Sequence, residues 1–86
     1  MSLAELHASL NLVRSSLTDA AAEAARAKEL LEEYRRALLD VQSGTAATSG
    51  DPWLPAQLPR AFDQIDEHKT QLGGVEQALD QYEARL

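Results

Sequence analysis

Eighty-six residues, 14 of them acidic and 8 basic, give a formal net charge of -6, and there is no cysteine. The charge argues against a nucleic-acid binder, whose electrostatic footprint is basic, and against anionic membrane surfaces. The missing cysteines exclude disulfides and thiolate metal sites, so a single small domain burying roughly 60–65% of its surface must rely on regular helix packing or on a partner.

The first half, about residues 2–42, reads as one long helix. Ser2 and Glu5 form a capping box at its start, and neither Gly nor Pro interrupts it before Gly44. Apolar residues recur in alternating steps of three and four, which is a heptad repeat. The a positions are Leu3, Leu10, Leu17, Ala24, Leu31 and Leu38; the d positions are Leu6, Val13, Ala20, Ala27, Tyr34 and Val41. Forty residues at 1.5 Å each predict a rod of roughly 60 Å. Alanine at positions 20, 24 and 27 lets a partner helix approach closely.

Residues 43–57 form a loop punctuated by Gly44, Gly50, Pro52 and Pro55. Ser43 to Gly50 should be mobile. Trp53 and Leu54 are costly to leave in water. The burial preference of large aromatics predicts that Trp53 folds back as a lid over Leu38, Val41 and Phe62. The alternative is an exposed docking anchor, since Trp is enriched at interface hot spots.

A second helix, about residues 58–86, has Pro59 in its first turn, where alone it is tolerated. Its heptad seam has Leu58, Ile65, Leu72, Leu79 and Leu86 at a and Ala61, His68, Val75 and Tyr82 at d, with Phe62 alongside. Gly73 and Gly74 interrupt it at a cost of about 1 kcal/mol each against Ala. The pair implies either close packing beside Ala24 and Ala27 or a hinge.

Two heptad helices and one loop predict an all-α antiparallel hairpin. Matching the seams outward from the loop pairs Leu38 with Ala61, Tyr34 with Ile65, Leu31 with His68 and Val13 with Leu86. Leu3, Leu6 and Leu10 are then left without an intramolecular partner, and they predict association. With Val13 and Leu17 they form the expected association seam of a homodimer, a four-helix bundle, or a complex with a protein hetero-partner. Flanking charges pair Arg14 with Glu83 and Lys28 with Glu76.

The sequence names no catalytic residues. HExxH, GxSxG and Gly-rich phosphate loops are absent, and His7 and His68 lie in separate helices. Asp63, Asp66 and Glu67 read as a solvated acidic face, and the Glu that a di-iron motif needs three residues before His68 is replaced by Ile65. No metal, cofactor, nucleic acid or membrane is expected as a ligand. No leader or transmembrane stretch is legible, which makes the cytoplasm the default compartment and leaves leaderless export open.

An acidic, Cys-free chain of this size, built as two long helices around a Trp-bearing loop, resembles the WXG100 (ESX-type) small helical hairpins and related small helical proteins of high-GC Gram-positive bacteria. Trp53 matches the Trp of that family's Trp-x-Gly turn, with Pro55 at the Gly position. Tyr82 matches the Tyr of its export signal, with Leu86 where an acidic residue stands four positions on. The resemblance implies a hairpin that dimerises rather than an exported substrate. The expected role is a small non-enzymatic interaction or scaffold protein. The alternatives are a partner subunit associated with type VII secretion, and an accessory protein holding a small ligand between hairpins.

Overall fold

The computed structural model describes residues 1–44 and 51–86. The mobility expected for the first part of the loop falls on residues 45–50, outside the described residues. Helix α1 spans Leu3–Ser43 and helix α2 spans Gln57–Ala84. Together they form an antiparallel helical hairpin with extents of 69 × 15 × 14 Å. Ser2, in extended conformation, caps α1 by accepting a hydrogen bond from the Glu5 backbone N–H at 3.1 Å. Helix α2 starts without a polar cap; instead the Leu58 N–H donates to the Pro55 carbonyl at 3.0 Å. Pro59 sits in the first turn, where its missing N–H costs nothing.

The helices meet along only half of the predicted seam. Leu10, Ala24 and Leu58 are the buried apolar residues, and all three are a positions. Leu17, Leu31, Leu38, Ile65, Leu72 and Leu79, also at a, are half-buried. The d positions are mixed: Leu6, Ala20, Ala27 and Ala61 are half-buried, while Val13, Tyr34, Val41, His68, Val75 and Tyr82 are exposed. The other edge of the contact is the e row, where Arg14, Lys28, Gln42, Phe62 and Glu83 are half-buried. An a/e row has the same three-four spacing as an a/d row, so it also runs straight along a helix. Long side chains at e lay their stems over the seam and join their charged ends across it. The charged pairs across the contact thus lie on its e side, while the d side carries exposed apolar side chains such as Val13, Tyr34, Val75 and Tyr82.

The expected pair of Arg14 with Glu83 is formed, while toward the connection the predicted alignment is displaced. Leu31 shares a hollow with Leu58 and Ala61 rather than lying opposite His68. Gly73 lies beside Leu17, Thr18 and Ala21, not beside Ala24 and Ala27. Lys28 meets Asp66 rather than Glu76. The cause lies in the connection. The segment from Asp51 runs back beside the end of α1, where Gln42 bonds to Trp53, so α2 begins beside Leu31 and Tyr34. Matching seams from the loop outward ignored that return path. The N-terminal overhang shrinks accordingly. Leu10 is only 8% exposed and Leu6 is half-buried, so neither lacks an intramolecular neighbour; Leu3 and Val13 remain exposed.

The glycine pair does not mark close packing. A Cβ built on Gly73 or Gly74 meets no heavy atom within 4 Å, and α2 runs through both without interruption. Gly73→Ala and Gly74→Ala are each expected to stabilise the chain by about 1 kcal/mol. Thermal melts followed by circular dichroism at one fixed protein concentration check this. A fall in melting temperature would mean that the pair serves a contact with a partner.

Candidate interaction surface

The hairpin has two unlike long faces. The first carries the e and b positions. Arg14 bridges α1 to α2 twice, through Nη1 to Asp80 at 2.7 Å and through Nε to Glu83 at 3.2 Å. Lys28 Nζ donates to Asp66 Oδ1 at 2.8 Å. These bonds hold the Arg14 guanidinium and the Lys28 ammonium above their ordinary values, the hydrogen bonds to Glu83 and to Asp66 being the respective leading causes. The hydrogen bond from Lys28 likewise holds Asp66 below the usual carboxylate range. Arg14, Lys28 and Glu83 are half-buried and Asp66 and Asp80 are exposed, so water still screens the pairs and they fix alignment more than they hold the fold. Between them lies a hollow of ≈ 410 Å³ lined by Arg14, Leu17, Thr18, Ala21, Lys69, Leu72, Gly73 and Glu76. Its lining mixes both signs of charge with leucine.

The second face carries the d and g positions, and it is poor in charge, with apolar side chains beside Ser and Gln. A smaller hollow of ≈ 250 Å³ opens on it, lined by Leu31, Tyr34, Pro55, Gln57, Leu58 and Ala61. Tyr34 and Ala61 are both d residues, and their shared hollow puts the d rows of the two helices on one side of the hairpin. Along this side Val13, Leu30, Tyr34, Val41, Val75 and Tyr82 stand between 44% and 72% exposed. Among the 19 d and g positions of the two helices only Glu23 carries a formal charge. Among the 20 e and b positions nine do.

Trp53 is 66% exposed. The lid over Leu38, Val41 and Phe62 is thus not formed, and Val41 is open as well. The reason is a clamp on the backbone. The Gln42 side-chain amide donates to the Trp53 carbonyl at 2.6 Å and accepts from the Trp53 N–H at 2.5 Å. One primary amide satisfies both backbone polar groups of Trp53, as a neighbouring strand would. Pro52 precedes the residue and Pro55 follows closely, which restricts the backbone further. The indole points outward from this fixed base, while Leu54 and Pro55 are half-buried. Nothing in the spacing of the sequence singled out Gln42; an e-position Gln at the end of a long helix was the available signal.

The expected association seam is divided by the fold. Leu3 and Val13 are open to solvent, Leu6 and Leu17 are half-covered, and Leu10 is spent inside the hairpin. Ala24 is buried and Ala20 and Ala27 are half-buried, so the alanine stretch lines the contact with α2. His68, expected in the seam, stands exposed at a d position, while His7 is an e residue on the opposite side. Among the described residues, no group of three or more His, Asp or Glu side chains converges on a common point that could hold a metal ion. No described helix is long and apolar enough to cross a membrane. The chain matches no protein-family model, no curated protein and no solved structure.

Two outcomes are expected from this geometry. Asp66 is depressed, so its pairing with Lys28 supports the fold above the carboxyl's ordinary value of 3.8 and is lost as pH falls through the lower folded-state value. Melting curves of the wild type and of Asp66→Asn should differ at neutral pH, converge as acid protonates the Asp66 carboxyl below its lowered folded-state value, and approach one another in high salt. A gap that persists in acid would assign another role to the side chain. Gln42→Ala should cost about 1 kcal/mol and speed hydrogen exchange at the Trp53 amide, as read by NMR.

Proposed function

We propose that this chain is a small, non-enzymatic interaction or scaffold protein that self-associates along the apolar side of its long helix. The observation that carries the reading is the area left exposed. The accessible surface is 6641 Å² for a mass of 9.4 kDa, against about 5,000 Å² for a compact folded monomer of that mass. Three apolar residues are buried among the described ones, while eleven large apolar side chains stand exposed. A core of that size supplies little net stability after chain entropy is counted. A second chain is the simplest source of the missing burial.

Light scattering is expected to give a solution mass of two chains, and the melting temperature should rise with protein concentration, as mass action requires for a dimer. A single-chain mass at every accessible concentration, with a melting temperature independent of it, would overturn self-association.

A second reading is favoured by Trp53, which lies exposed in the segment between the helices, the place of the Trp in the turn of the WXG100 hairpins that the chain resembles. In that reading the chain is a partner subunit associated with type VII secretion. It would stay a single chain until mixed with the product of a neighbouring gene, and it would reach the culture medium. Retention in the cells together with a stable homodimer would rule this out.

A further inference from the structure

We infer that the docking surface is the charge-depleted face formed by the d and g rows of both helices, and that its occupant is the same face of a second copy. This rests on the self-association proposed above and names the surface that performs it. Of the N-terminal leucines, Leu10 is consumed inside the hairpin, Leu3 is exposed at an a position, and Leu6 is a half-covered d residue at the end of this face. Farther along the d rows Val13, Tyr34, Val41, Val75 and Tyr82 are exposed, beside the half-buried Ala20, Ala27 and Ala61.

Three observations select this face and this occupant. The first is composition. Interface cores are marked by depletion of charge and enrichment of aromatic residues, and this face has one charged residue among 19 together with both tyrosines of the chain, Tyr34 and Tyr82. The opposite face spends its charges on intramolecular pairs at Arg14 and Lys28. The second is size. A side of 69 × 15 Å offers a projected area of roughly 1,000 Å², above the ~800 Å² per partner of a standard stable interface. The third is self-complementarity. A face with a single charge steers charged partners poorly, whereas two copies laid together bury one another's exposed d residues and produce four helices around an a/d core.

The experiment uses the full chain. Val75→Glu and Tyr34→Glu each place a charge in the face, and Ala21→Glu places one in the hollow on the other side. Light scattering is expected to show the mass halved for the two face variants and unchanged for Ala21→Glu. Face variants that keep the wild-type mass would overturn this surface while leaving self-association intact. A wild-type chain that is already single would overturn both readings.

A second measurement does not depend on the variants folding. Tyr34 and Tyr82, 51% and 46% exposed in the single hairpin, are expected to be protected from nitration in the wild type at high concentration, with protection lost on dilution. Equal nitration of both at all concentrations, in a chain whose mass is that of two copies, would also overturn the assignment.

Discussion

The lateral contact between α1 and α2 is the constraint from which the other features follow. Two helices alone can cover only one stripe of each other, and a heptad helix offers two candidate stripes, a/d and a/e. Here the a residues take the middle of the contact and the e side carries its polar fasteners, because Arg14 and Lys28 have charged partners on α2 and Gln42 holds the returning segment at Trp53, while the d side has apolar neighbours alone. Each of these bonds is weak by itself. They act together as a rotational bias: they turn both helices so that the remaining apolar row comes to lie on one common side. The charged side and the bare side are thus two results of one choice of stripe.

Architecture was legible in the sequence because helix, loop and seam are local or periodic properties. The capping role of Ser2, the absence of breakers before Gly44 and the three-four spacing are all visible without coordinates. Alignment was not legible. A repeat of seven looks the same after a shift of seven, so apolar matching alone cannot choose between Leu31 opposite His68 and Leu31 beside Ala61. The choice is made by the returning segment and by Gln42, which are not periodic. The stripe was equally hidden. Leu, Val and Tyr at d look as fit for a core as Leu at a, and only the partners of the e residues tip the balance.

Trp53 illustrates the same limit. A rule based on the average burial of tryptophan predicts a lid, and the average fails because it weighs only the side chain. Its backbone N–H and carbonyl are the groups that found partners, on Gln42, and the two prolines around it leave little freedom to swing the indole inward. The glycine pair failed in the opposite direction. An unfavourable residue in a helix invites a packing reason, yet Gly73 and Gly74 have open space where a methyl would be. Their cost to helix α2 is not recovered inside the single chain.

The Gln42–Trp53 clamp has a consequence for how the chain reaches its native state. Sliding one helix past the other by seven residues, about 10.5 Å, sets leucine against leucine again, so a collapsing chain meets several near-equivalent stopping points. What separates them is a pair of bonds only eleven residues apart in sequence. Closing so short a loop is cheap in entropy and fast, and it can form before the long helices zip. The clamp then works like the retainer at the bottom of a zip fastener. It makes no large contribution to the strength of the closed chain, but it decides which tooth is first.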